Sequence, residues 1–267
     1  MNKILSLIFA LFYLTSFSQI DTTYLNIVSW NIQNFGKSKS IEEIQYISSK
    51  VKMYDIVAIQ EVSTSDFGSQ AVAKLADDLD RTGTDWDYVI SNPTSGKGSE
   101  RYAYLFKKNR VKLKEKPTLE LSLSTTISRE PYKAIFIFKG ISYYLFNIHL
   151  VPVDKNPQIE ANELAIITSL YSGKNIIILG DFNLSQEDSG FNRLKTNGLK
   201  PTLINKKTSL KMKPLNGEVL NMKYDNFFIS KYIQFKNADV IYFFKDFKDL
   251  QSSRMISDHC PIKISIK

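Results

Sequence analysis

Nine short apolar runs recur along this chain, and their spacing limits the fold more than any other feature. They predict strands over 25–31, 55–62, 86–91, 102–108, 134–140, 142–150, 175–181, 224–230 and 260–266. Helical periodicity is confined to three stretches, 40–53, 69–83 and 156–171. The first opens on Ser40, Glu42 and Glu43, as a capped N-terminus should, and its Ile41, Ile44, Ile47 and Val51 form one apolar stripe. Many strands with few helices imply an α/β protein with sheet packed on sheet and helices outside. No internal repeat, low-complexity tract or linker interrupts the pattern, so residues 20–267 are read as one domain.

Residues 1–19, "MNKILSLIFALFYLTSFSQ", differ from the rest. One early cation, Lys3, precedes an apolar stretch and a small-x-small end at Ser16-Phe17-Ser18. That is the pattern of a secretory signal peptide, too short and too polar at its end for a good membrane span. The expectation is export, to the periplasm or beyond, with no membrane span after cleavage. The formal charge is +8; losing Lys3 leaves 34 basic against 27 acidic residues, or +7. A basic exported chain is drawn to polyanions, although a basic surface also serves solubility alone. The single cysteine, Cys260, excludes an intramolecular disulfide and zinc sites built on cysteine pairs.

Several strands carry polar residues at their ends. Asn31 and Glu61 close two runs, His149 and Asp181 close two more, and Asp225 and the pair Asp258–His259 open others. The chain has only two histidines, and both lie in apolar strands. In "ILGDFNLS", a strand continuing through Asn183 would set Asp181 and Asn183 on one face, with Phe182 turned into packing. "GDFN" is equally a reasonable turn. There is no Gly-x-Ser-x-Gly elbow, and the one thiol sits on an expected core strand, so acyl-transfer triads are poorly supported. Carboxylates with amide oxygens are hard ligands, suited to Mg²⁺, Mn²⁺ or Ca²⁺. Phosphodiester hydrolysis needs an activated water, charge neutralisation and a protonated leaving oxygen. A hard cation and two histidines cover those needs.

The motifs "SWNIQNFG", "DIVAIQEV", "SERYAYLF", "SREP", "FNIHLVP", "ILGDFN", "YDNFFIS" and "SDHCPI" occur in this order from about Asn26 to the C-terminus. In that order the chain resembles the endonuclease/exonuclease/phosphatase superfamily, and within it the deoxyribonuclease I family. The resemblance implies a four-layer α/β/β/α sandwich, two packed mixed sheets flanked by helices, with the site at one edge. It implies metal-site roles for Glu61, Asn31 and Asp258. It implies a catalytic His149 partnered by Glu100 and a catalytic His259 paired with Asp225. Asp181 and Asn183 match the pair that orients water or phosphate, and Arg129 matches a phosphate-contacting arginine. The implied activity is a monomeric, Mg²⁺- or Mn²⁺-dependent endonuclease acting on DNA with little sequence preference.

The chain also departs from the pattern. Gln33, Ser63 and Gly98 stand where the family has arginine, arginine and tyrosine, and the last two of those reach into the DNA minor groove in its best-known member. Lys37, Lys39, Lys97 and the stretch 206–213 are candidate substitutes for phosphate contact. The family's loop disulfide has no counterpart, and lysines occupy the region of its structural Ca²⁺ loop, so weaker dependence on structural Ca²⁺ is expected than the family implies. Alternatives are a related hydrolase acting on RNA, sphingomyelin or a phosphoinositide, and an inactive binding module. The apolar run 240–247, the nearest thing to a membrane-insertion segment, is expected to be a core strand.

Overall fold

The computed structural model describes residues 22–267, so the secretory segment read at 1–19 lies outside the described residues. The first third contains β1 (Leu25–Phe35), α1 (Ile41–Val51), β2 (Ile56–Val62), α2 (Asp66–Asp80), β3 (Trp86–Ile90) and β4 (Arg101–Lys107). The middle contains β5 (Lys112–Leu113), β6 (Thr118–Leu119), β7 (Tyr132–Phe138), β8 (Ile141–His149), α3 (Pro157–Glu163), α4 (Ile166–Leu170) and β9 (Asn175–Asp181). The last third contains α5 (Asn192–Thr196), β10 (Leu199–Pro201), β11 (Leu210–Leu215), β12 (Glu218–Leu220), β13 (Asp225–Ser230), β14 (Phe235–Val240), α6 (Leu250–Ile256) and β15 (Ile262–Ile266).

One sheet has the order β14-β15-β1-β2-β4-β3, and the other β10-β13-β9-β8-β7-β5, with β6 also on β7. The β1–β2 and β8–β9 pairs are parallel and their neighbours antiparallel, so both sheets are mixed. Period-two alternation explains how they pack. On β8 and β9, Tyr143, Leu145, Ile177 and Leu179 join the core shared with the facing sheet. Tyr144, Phe146, Ile176 and Ile178 point the other way, into a second core closed by Ala161 and Ile167 of α3 and α4. On the far side α1 and α2 bury Ile44, Ile47, Val51, Val72 and Leu75 against the first sheet. The result is the expected four-layer α/β/β/α sandwich.

Local chemistry accounts for the boundaries. Ser40 caps α1 in a reciprocal box with Glu43. Lys139 and Gly140, both at positive φ, make the two-residue turn between β7 and β8. The helix expected over 156–171 is instead two short pieces, with a turn at Leu164 and Ala165 between them. The second expected helix starts earlier, at Asp66 after an extended Ser65. The strand expected at 260–266 begins at Ile262, since Pro261 has no N–H for the ladder. The run 240–247 is not a core strand. β14 stops at Val240, and Phe243–Asp246 forms a 3₁₀ turn whose buried Phe243 ring packs 5.2 Å from Trp30.

Candidate active site

At one end of the sandwich the inward-facing rows change from apolar to polar. Asn147 and His149 continue the Tyr143–Leu145 row of β8, Asp181 continues the Ile177–Leu179 row of β9, and Asp225 precedes Phe227 on β13. Three of these chain ends are locked in register: Asp181 lies opposite both His149 and Asp225. Beneath them Gln60 Nε2 donates to Asn147 Oδ1 at 2.5 Å and to Ser29 Oγ at 3.1 Å, while Asn147 Nδ2 donates to the Ile59 carbonyl at 3.0 Å. This buried network joins the two sheets directly below the polar end.

Glu61 reaches the site through a bulge. The pairing of β2 with both neighbours shifts register around it, and the residue sits at φ 59°, in the left-handed region. Such a conformation costs about 1–3 kcal/mol in a non-glycine residue and re-aims the side chain. Glu61 Oε1 accepts from Asn31 Nδ2 and Oε2 from the Asn34 N–H, both at 3.0 Å. Asn31 Nδ2 also donates to Asp181 Oδ2 at 3.0 Å.

Two histidine–carboxylate pairs face each other across Asp181. His149 Nδ1 lies 2.9 Å from Glu100 Oε2, and His259 Nδ1 lies 2.8 Å from Asp225 Oδ2. Their Nε2 atoms lie 3.4 and 3.5 Å from the same oxygen, Asp181 Oδ2. Burial opposes charge on His149, but Glu100 and Asp181 outweigh it, so the imidazole titrates above its ordinary value. The same contest at His259, with Asp225 and Asp181 as the anions, raises it further. Burial would also keep Asp181 neutral, yet the two histidines, the Asn183 N–H and Asn31 hold it below the usual carboxylate range. Burial pushes Asp225 up, against the pull of His259.

The "GDFN" stretch is both a turn and a convergence. β9 ends at Asp181, so strand alternation does not carry Asn183 into the site, contrary to the expectation from spacing. Asn183 turns back at φ 48°, its N–H donating to Asp181 Oδ1 at 2.8 Å and its Nδ2 to the Leu150 carbonyl at 2.9 Å. Phe182 is buried between Phe191 and Phe228, at 5.4 and 5.1 Å. Gly180 has φ 134°, and a Cβ there would lie 2.1 Å from the Ile148 carbonyl oxygen. Only glycine lets β9 approach β8 this closely.

Arg129 is largely committed to the protein. Its Nε donates to the His149 carbonyl at 2.8 Å, its Nη2 to the Leu150 carbonyl, and its Nη1 lies 3.5 Å from Glu100 Oε2. It is 8% exposed, leaving one edge beside Gly98 for a ligand. Asp258 Oδ2 accepts from Gln33 Nε2 at 3.2 Å and from Arg254 at 3.4 Å. Lys206 and Lys207, in the stretch considered as a phosphate contact, are paired with Asp239 and Glu218. Cys260 is buried, which pushes its thiol up and leaves it inert.

An open cleft of about 660 Å³ gathers Glu61, Glu100, Arg129, His149, Asp181 and His259, together with Asn183 and Asp258. Asn31 and Asp225 touch this group through Glu61, Asp181 and His259. All ten residues singled out in the sequence therefore meet at one place. A hard divalent cation fits here. Asn31 Oδ1 is buried without a hydrogen-bond partner, on the amide whose Nδ2 donates to Glu61, and the Glu61 and Asp258 carboxylates both line the cleft. Ligand atoms of Asp181, Asp225 and His259 also lie within 4.8 Å of one another, but there both imidazole nitrogens face carboxylates, an arrangement for moving protons.

Sequence reasoning did not single out the supports. Gln60 and Asn147 lie inside quoted motifs but have no charge to mark them. Ser257 Oγ donates to the Asn31 carbonyl at 2.6 Å and accepts the His259 N–H at 3.0 Å. Thr208 Oγ1 accepts the Asp225 N–H at 2.9 Å. Buried Glu160 accepts N–H groups from Ser128 and Val151 at 2.7 and 2.9 Å, holding the segments that carry Arg129 and His149.

The sequence profile described as the Endonuclease/Exonuclease/phosphatase family matches residues 28–259. Deoxyribonuclease-1 of Ovis aries is 31% identical over 178 residues, 60% of this chain and 65% of its own length. Deoxyribonuclease-1 of Homo sapiens is 30% identical over 173 residues, 60% of each chain. The match thus spans under two thirds of these curated relatives. Among solved structures, a mannosyl-6-phosphatase of Bacteroides thetaiotaomicron superposes with TM-score 0.69 at 18% identity, covering 91% of this chain and 99% of that one. TDP2 of D. rerio complexed with a single strand DNA product gives TM-score 0.66 at 19% identity, covering 92% and 99%. At such identities these two bear on the fold alone.

Proposed function

The chain belongs to the endonuclease/exonuclease/phosphatase family, and we propose that it is an exported, divalent-metal-dependent endonuclease that hydrolyses phosphodiester bonds of DNA with little sequence preference. One observation carries the reading: two histidine–carboxylate pairs converge on a single ionised aspartate, next to an acidic pocket with an orphaned amide oxygen. The deoxyribonuclease relatives and the basic chain support DNA as the polyanion. The signal-like residues 1–19 support export, which recovery of a chain beginning at Ile20 outside the cytoplasm would test.

Glu61, Asn31 and Asp258 would hold Mg²⁺ or Mn²⁺, which when bound neutralises charge on the phosphoryl oxygens. Asp181, kept ionised, accepts a hydrogen bond from the attacking water and aims it, with Asn183 beside it. His149 and His259 flank that position, one to take the water proton in its neutral form and one to protonate the leaving oxygen in its charged form. Glu100 and Asp225 fix the two rings and stabilise their charge. The free edge of Arg129 adds a cation on the phosphate side.

Purified protein lacking residues 1–19 should nick supercoiled plasmid with Mg²⁺. Nicking should vanish with EDTA, and in His149→Ala its rate should fall about 10²–10⁴-fold. No cleavage of DNA or RNA, with release of phosphocholine from sphingomyelin, would overturn the reading.

A further inference from the structure

A second hollow, of about 500 Å³, lies beside the catalytic cleft and takes no part in the mechanism above. Its walls include Lys97, Ser128, Val151, Lys155, Ile159 and Glu160. Three of these immediately precede residues of the catalytic cleft: Lys97 before Gly98, Ser128 before Arg129, and Val151 before Pro152. Consecutive Cα atoms are about 3.8 Å apart, so the hollow opens one residue step beyond Arg129 along three separate segments. The two spaces are successive stations on one surface.

The chemistry of the hollow suits a nucleotide. Lys97 and Lys155 are exposed, and neither forms an ion pair among the described residues, whereas Lys206, Lys207 and Lys223 do. The one anion, Glu160, is 5% exposed and already accepts two backbone N–H groups, so it shapes the floor and offsets only part of the positive charge. Ile159 is 62% exposed and offers an apolar face for a sugar or base. The wall bearing Lys97 is held in place. The Gly96 N–H donates to the Ser128 carbonyl at 3.0 Å, so close that a Cβ on Gly96 would stand 2.2 Å from that oxygen.

We infer that this hollow is a flanking subsite, which holds the phosphate and sugar adjacent to the scissile phosphodiester along a polynucleotide strand. The inference rests on the nuclease reading and adds the path of the strand: past Arg129, toward Lys97 and Lys155. It compensates for the groove-reaching side chains absent at Ser63 and Gly98 by gripping the backbone.

The test compares wild type with a Lys97→Glu, Lys155→Glu double variant, and with the matching alanine pair in case glutamates disturb the surface. Thermal melting checks that each is folded. Substrates are a dinucleotide, which has no flanking phosphate, and a longer single-stranded oligodeoxynucleotide. Wild type should favour the longer substrate in kcat/KM, and the variants should lose most of that advantage. Binding of the longer strand in a His149→Ala background should weaken about tenfold or more, with the salt dependence reduced by about one unit of slope per lysine. A wild type that cleaves DNA while the variants keep both the length advantage and the salt slope overturns the subsite alone. A wild type that nicks plasmid but neither binds nor cleaves the oligonucleotide also overturns the subsite alone, and one that fails on plasmid and oligonucleotide alike overturns the nuclease reading and the subsite with it.

Discussion

Asp181 faces two histidines within 3.5 Å, and each charge in that trio depends on the others. A lone buried carboxylate or imidazole would shed its charge; here the cations and anion outweigh the burial. His259 rests on Asp225. Because the native value of His259 is raised, its stabilising contribution is complete below about pH 6.5 and is lost as pH rises through the native value. Asp225→Asn removes the partner and lowers that native value. The limb of the pH–rate profile that reports His259, alkaline if it is the acid and acidic if it is the base, should then move to lower pH, with a rate loss on the order of 10²-fold near neutrality. An unmoved limb would contradict the role given to this pair. Both histidines were legible in the sequence, because they are the only two; His149 closes its strand as expected, whereas His259 sits in an isolated bridge to Ser209 rather than in a strand. Their supports were not: a serine or threonine that accepts one N–H looks like any other until its partner is known.

The elements deliver these residues through local irregularities. Glu61 is aimed by a bulge, Asn183 by a left-handed turn, and Asp181 by the close approach of β9 to β8 at Gly180. Gly180→Ala should destabilise the protein by about 2–3 kcal/mol, since it adds both left-sided strain and a carbonyl clash. In a chain of this size the melting temperature should drop about 2–4 °C per kcal/mol, measured by thermal denaturation. A melting temperature within a degree of wild type would show that the two strands can separate there at no cost. Strand positions were readable from apolar runs, and the α1 cap from Ser40 and Glu43. The bulge at Glu61 was not readable, because nothing in "AIQEV" distinguishes an extended glutamate from one at positive φ.

Across the whole molecule, the two sheets are tied under the site by Gln60 and Asn147. Replacing either by leucine strands a buried polar partner, at about 1–3 kcal/mol. The double variant should cost less than the sum of the singles, and a double-mutant cycle in urea would measure the coupling. Strict additivity would mean that this bond does not join the sheets energetically. The sequence by itself determined the layers: period-two apolar runs force sheets, and two sheets with apolar inner faces must pack on each other. It also determined which polar residues sit at strand ends, and their order identified the family. Tertiary structure alone decided which of those ends meet. Residues as far apart as Asn31, Glu100, Asp181 and His259 become neighbours only when two sheets of set register are stacked, because strand order and facing are long-range properties that no local stretch encodes. The same stacking placed Lys97 and Lys155 on one hollow, a pairing that their separation along the chain gave no reason to expect.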